Sequence, residues 1–278
     1  MKKGVLSYKR SSVGYYRFGH GPKLAICFHG YGEDALMYAF MEKYAGDYTF
    51  YSMDLPFHGH TVWNEGLNFT HTDLQQIIHD ILLENNIALN ADTIAGIKKL
   101  SLIGFSLGGR VALSLYQAWP DSIEKIILLA PDGLTVNFWY WLATRTWPGN
   151  KLFAFTMKHP GWFMGFLKLL NKTGMVNASV IKFVNYYIGN EDARLKLYQR
   201  WTTLRRLKPS LKRIKACITR LRTPVRLIYG KFDRIILPVR GEAFVKDIEN
   251  FAELRVIDSG HQVLNEKHAA EIVESLRV

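Results

Sequence analysis

Short apolar runs recur along the chain, most of them closed by Gly, Pro or Asp. Leu24–Phe28, Tyr48–Met53, Leu100–Phe105, Ile126–Ala130, Val225–Tyr229 and Leu254–Ile257 are apolar at nearly every position. That pattern predicts parallel strands covered on both faces. "VGYYRFG" from Val13 alternates instead, and predicts an antiparallel edge hairpin. Helical spacing fills the intervals. Asp34 is placed to cap a helix over "ALMYAFMEKYA". Leu74, Ile77, Ile78, Ile81 and Leu82 form an apolar stripe on a helix over Asp73–Leu89. Further helices are predicted from Ser106 or Leu107 to before Pro120, from Pro238 to Ile248, and over Ala269–Leu276. Strands alternating with helices give an α/β fold, a mostly parallel twisted sheet with helices on both faces.

The rhythm breaks between Leu134 and Leu207. This region has no clear strand, holds five of the seven tryptophans, and is punctuated by "PGN", "HPGW" and "NKTG". It reads as a helical insertion over residues 134–207, between core segments 1–133 and 208–278. Charge marks out the same region. The whole chain is +12, but Leu134–Arg222 holds 17 Lys and Arg against Glu191 and Asp192 alone, a net +15. The remainder is close to neutral, at −3. Such a basic segment suits a solvated helical face. It also suits an acidic partner: an acyl-carrier protein, a phosphopantetheine or CoA thioester, or an anionic membrane surface. Nucleic acid is not expected, because the basic residues flank the region of the expected substrate pocket.

Several classes are excluded. With 48% hydrophobic residues the chain is not disordered. "MKKGVLSYKRSS" lacks the apolar core of a signal peptide. No stretch reaches the roughly 18–20 apolar residues of a membrane span. Cys27 and Cys217 suggest neither a disulfide framework nor a zinc site. A cytoplasmic protein is expected. The H-x-H of His58 and His60, even with His71 and His79, is too weak alone to imply a metal site, and there is no G-x-G-x-x-G or P-loop, so neither metal nor cofactor is expected.

The chemistry centres on Gly104-Phe105-Ser106-Leu107-Gly108, a G-x-S-x-G between a strand and a helix. A serine on so tight a turn needs small residues two before and two after it. Its hydroxyl then projects at the carboxyl edge of the sheet, beside a helix N-terminus that favours negative charge. The plainer alternative is an ordinary helix cap. A nucleophilic serine needs a base, and the base needs an orienting acid. His261, in "LRVIDSGHQVL", and Asp233, in "VRLIYGKFDRIILP", each follow a predicted strand. Asp132 follows the strand after the serine and competes with Asp233; Asp258 reads as a turn residue. Acyl transfer also needs an oxyanion hole. Its donors are expected to be the backbone N–H groups of Leu107 and Tyr31, with His29, Gly30 and Phe105 beside the substrate; the plainer alternative is that His29-Gly30 is merely a turn, and His29 itself reads as structural rather than catalytic.

Five blocks occur together in order: His29-Gly30-Tyr31-Gly32, Asp54 to Thr61, Gly104 to Gly109, Gly230 to Asp233, and Ser259-Gly260-His261. The chain thereby resembles the capped, esterase-like branch of the α/β-hydrolase superfamily. That branch includes pimeloyl-acyl-carrier-protein methyl ester esterases and meta-cleavage C–C hydrolases. The resemblance spans nearly the whole core from Val13. It implies that residues 134–207 form a cap, giving an apolar acyl pocket under a basic helical lid. It implies a catalytic triad of Ser106, His261 and Asp233 cleaving a carboxylic ester. Thioester or C–C hydrolysis on the same triad, or a non-catalytic binding protein on the scaffold, are the alternatives. One block departs from the pattern. The usual D-x-P-G-H-G-x-S has Phe57 in place of its first glycine and Thr61 in place of its serine.

Overall fold

The computed structural model describes residues 1–87, 99–172 and 188–277. It contains two compact units. The first comprises residues 1–65, 69–135 and 207–278, and the second residues 66–68 and 136–206.

Among the described residues, the first unit is built on eight strands in the order β1-β2-β4-β3-β5-β6-β7-β8. They are β1 (Lys2–Tyr8), β2 (Ser11–Phe18), β3 (Lys23–Phe28), β4 (Tyr48–Met53), β5 (Leu100–Phe105), β6 (Ile123–Leu129), β7 (Val225–Gly230) and β8 (Ala252–Ile257). The pairs from β4 through β8 are parallel, while β1–β2 and β2–β4 are antiparallel. Side chains alternate between the two faces with a period of two. Ala25, Cys27, Ile103, Phe105, Ile127 and Leu129 lie in one buried cluster, with Met41, Ile272 and Leu276 from the helices on that face. Leu24, Ile26, Leu102, Ile126 and Leu128, also buried, fall between them in the strands. Both faces of the central strands are covered, so their runs are mostly apolar; the edge strand β8, expected to be buried like them, is only partly so, with Val256 exposed. Helix α1 (Met41–Tyr44) packs against α10 (Ala269–Arg277). Helix α3 (Leu107–Ala118) packs against α2 (His71–Glu84) and α8 (Leu211–Leu221).

Several elements differ from expectation. The edge hairpin forms, but its first strand is the Lys-rich segment Lys2–Tyr8, which alternation alone did not flag. The helix expected over 35–45 divides into a 3₁₀ turn, Ala35–Tyr38, and α1. Asp34 does cap the 3₁₀ turn, its Oδ1 accepting from Leu36 N at 2.9 Å. Buried Asp54 takes the N–H of Ala35 at 2.7 Å, fixing the chain there. Helix α2 starts earlier than Asp73, because Thr70 and Asp73 form a reciprocal capping box. It stops at Glu84, followed by Asn86 in the left-handed region at φ 59°. The expected end of that helix at residues 88–89 lies outside the described residues. The helix expected over Pro238–Ile248 is shorter, α9 (Val239–Val245).

The second unit holds α4 (Phe138–Arg145), α5 (Trp147–Lys158), α6 (Gly161–Lys172) and α7 (Glu191–Thr203). Asn137, Thr146 and Asn190 cap α4, α5 and α7 with side-chain oxygens that accept first-turn N–H groups. Phe153 of α5 meets Tyr198 and Trp201 of α7, with centroids 5.4 and 5.7 Å apart. Some basic residues are structural here. Arg194 donates to the carbonyls of Met157 and Ile188 at 3.0 and 2.8 Å.

Candidate active site

The centre of the site is a strained residue. Ser106 lies between β5 and α3 with φ 48° and ψ −115°, a backbone region that non-glycine residues seldom enter. Three backbone hydrogen bonds hold it there: Ser106 N to Leu129 O at 2.9 Å, Gly109 N to Ser106 O at 2.9 Å, and Asp132 N to Ser106 O at 2.8 Å. The flanking glycines are required by space. A Cβ on Gly104 would stand 2.4 Å from Gly108 O, and one on Gly108 only 1.8 Å from Phe28 O. The second contact also means that the start of α3 abuts the end of β3. The turn carrying Gly30 and Tyr31 therefore leaves the sheet beside the serine.

His261 and Asp233 arrive from the ends of neighbouring strands. Asp233 follows β7 and His261 follows β8, and these strands pair in parallel. His261 Nε2 lies 2.9 Å from Ser106 Oγ, and His261 Nδ1 lies 2.7 Å from Asp233 Oδ2. An ionised carboxylate only accepts, so Nδ1 carries the proton and Nε2 presents its lone pair to the serine. The Asp233 carboxylate is fully buried. Its other oxygen, Oδ1, accepts from Ile235 N at 2.7 Å and Ile236 N at 3.0 Å. Three N–H donors, from Ile235, Ile236 and His261, thus fix a single orientation for the acid. The competing acid is engaged elsewhere. Asp132 Oδ2 accepts from Arg110 Nε at 3.0 Å and also from Nη2, and Asp258 is exposed.

Leu107 is the first residue of α3, so its N–H is among those a helix leaves without an internal partner. Tyr31 follows Gly30 in the turn after β3. Of the expected substrate contacts, Phe105 is buried with its ring 5.4 Å from that of His261, a backing for the imidazole. His29 does not fit a substrate-contacting role. It is fully buried, its Nδ1 bonds Gly30 O at 2.7 Å, and its Nε2 accepts from Leu55 N at 3.0 Å. The backbone on both sides of the imidazole makes it a brace for the turn. Gly30 is buried too, and a Cβ there would meet Glu33 Oε2 at 2.4 Å.

The departures in the Asp54–Thr61 block are absorbed. Phe57 takes φ 63°, the region where the usual glycine enters freely. Thr61 supplies a hydroxyl, which donates to Asp54 O at 2.7 Å and accepts from Gly14 N at 3.0 Å.

Glu33 was not legible as a site residue. Its Oε2 accepts from Gly30 N at 3.1 Å, and its Oε1 from the Gln262 amide at 3.2 Å. It thus ties the turn after β3 to the loop that carries His261. Burial pushes its carboxyl up to about 6, against the lowering effect of those two hydrogen bonds. Its only sequence signal is an acid three residues after Gly30. Among the described residues, no group of three His, Cys, Asp or Glu is placed to hold a metal ion.

A serine on a strained strand–helix turn, with a histidine and a buried acid from later strand ends, on a mostly parallel sheet, defines an α/β hydrolase. The comparisons with known proteins agree. Residues 21–268 match the family model Hydrolase_4, described as serine aminopeptidase, S33, and the chain belongs to that family and is a hydrolase. A pimeloyl-[acyl-carrier protein] methyl ester esterase of Aeromonas salmonicida is 29% identical over 139 residues, 50% of this chain. That match spans 46% of the relative, about half its length. The protein of the same name from Aeromonas hydrophila is 24% identical, over 81% of this chain and 82% of its own. A solved esterase of Thermogutta terrifontis, 17% identical, superimposes with a TM-score of 0.67 over 100% of this chain and 97% of its own. Among the described residues, no helix is long and apolar enough to cross a membrane.

Proposed function

We propose that the protein hydrolyses a carboxylic ester through an acyl-enzyme on Ser106. The observation that carries this reading is the hydrogen-bond chain from Ser106 Oγ through His261 to Asp233. In this mechanism Ser106 Oγ attacks the ester carbonyl as His261 Nε2 takes its proton. The N–H groups of Leu107 and Tyr31 stabilise the oxyanion. The tetrahedral adduct collapses, and His261 returns the proton to the departing alkoxide. Water, deprotonated by the same nitrogen, attacks the acyl-enzyme and releases the acid and Ser106. Asp233 holds the imidazole in the working tautomer and stabilises the imidazolium. The two relatives named as methyl ester esterases support an ester over an amide. The aromatic content of residues 134–207 supports an apolar acyl group.

The test is hydrolysis of p-nitrophenyl esters from acetate to palmitate, with an amino-acyl p-nitroanilide alongside and Ser106→Ala as control. The reading predicts ester turnover that is lost in the variant, with an optimum in acyl length. Turnover of the anilide alone would replace it with a peptidase reading.

A further inference from the structure

The second unit leaves large apolar side chains uncovered on two successive helices. On α5, residues 147, 151, 155 and 158 share one face. Trp147 is 72% exposed and Phe155 53% exposed. Lys151 Nζ sits 4.0 Å over the Trp147 ring, on the same face. On α6, Trp162, Phe166 and Leu169 recur at i, i+4 and i+7, a single stripe that is 44%, 49% and 63% exposed. Only His159 and Pro160 separate the two helices. From Trp147 to Lys172 there is no acidic residue, but there are four lysines, at 151, 158, 168 and 172.

Scattered exposed apolar residues need no explanation, but aromatic stripes on two adjoining helices do. Trp, Phe and Leu along one helix face, interleaved or flanked by lysine, is the pattern of a helix lying in a membrane interface. The rings enter the headgroup–acyl boundary, and lysine stems extend along them to place the ammonium among phosphates. Absence of acid from the stretch removes repulsion by an anionic leaflet. An acidic carrier protein would answer the lysines but leave the rings in water. A bilayer with anionic headgroups answers both. We propose that α5 and α6 seat this protein on the surface of an anionic phospholipid membrane, without crossing it.

The test is cosedimentation of the full chain with phosphatidylcholine vesicles, with and without phosphatidylglycerol, at low and high salt. Binding is expected only with phosphatidylglycerol, falling as salt rises. Each lysine near such a surface contributes about fivefold in affinity, so Lys151→Gln with Lys158→Gln weakens binding about 25-fold. Trp162→Ala with Phe166→Ala and Leu169→Ala weakens it about tenfold or more, even at low salt. Labelling of Ser106 by a fluorophosphonate and the far-ultraviolet circular dichroism report whether each variant is folded. Should the triple variant not fold, the lysine pair and the salt titration still decide. No sedimentation with phosphatidylglycerol vesicles would overturn the proposal. So would equal binding to neutral vesicles, or binding that neither variant changes. Burial of the stripes in a dimer, or capture by an acidic carrier protein with no vesicle binding, would overturn it as well.

Discussion

Replacing Asp233 with asparagine changes one atom and reverses the logic of the site. Asp233 Oδ1 accepts two backbone N–H groups, from Ile235 and Ile236, and Oδ2 accepts from His261 Nδ1. An asparagine has one oxygen. The two fixed backbone donors claim it, because turning the amide over would set N–H against N–H in a buried space. The NH₂ group then faces His261. To accept from it, the imidazole must move its proton from Nδ1 to Nε2, which removes the lone pair that Ser106 Oγ–H needs. The fold is preserved, and kcat is expected to fall by about 10⁴, or about 5 kcal/mol at 1.36 kcal/mol per decade. The assay is p-nitrophenyl acetate hydrolysis under saturating substrate, with a thermal melt to show that the variant is native. Retention of more than a tenth of wild-type kcat by a folded variant would refute the assignment of Asp233. Asp132→Asn is the matched control.

Asp132→Asn is expected to keep kcat within tenfold, since its carboxylate faces Arg110, and a melting curve will show the lost ion pair as reduced stability. Gly108→Ala forces a Cβ to within 1.8 Å of Phe28 O. It is expected to cost about 3 kcal/mol or more and to abolish turnover, read by urea denaturation and the ester assay. Two carboxyls give opposite pH signatures. Burial raises Glu33 to about 6. Its folded value exceeds the unfolded one, so it withdraws stability as pH rises from about 4.5 to 6. Glu33→Gln is then more stable than wild type by at most about 2 kcal/mol at pH 7, and equal to it at pH 4. Burial would raise Asp73 too, but hydrogen bonds from Lys9, Thr70 and Tyr8 outweigh it and hold it at about 2. It adds about 2 kcal/mol that is present above pH 4 and lost as pH falls toward 2. Asp73→Asn is expected to lower stability at pH 7 and to flatten the acid limb of a pH–stability curve.

The central strands were legible because both faces are covered, which leaves apolar runs such as Ile126–Ala130. The edge was less so. Val5 on β1 is exposed while Leu6 and Tyr8 are buried, and two leading lysines make the segment look like a basic tail. Helix α8 was hidden in the same way. Ile214 and Ile218 anchor it, but four of its eleven residues are Lys or Arg. For the site, Ser106, Asp233 and His261 stand out because each closes a recognisable strand. That His29 is structural rather than catalytic is readable from its turn, but the partners of His29, Glu33 and Arg110 are not, because they depend on which groups folding brings within hydrogen-bond reach.

The most direct measurement of the central claim is mass spectrometry of the intact protein after a brief exposure to a p-nitrophenyl ester in an acid quench. The account predicts one acyl adduct, mapped to Ser106, present in wild type and absent from Ser106→Ala. Ester turnover of undiminished rate in Ser106→Ala, with no adduct on either protein, would contradict it.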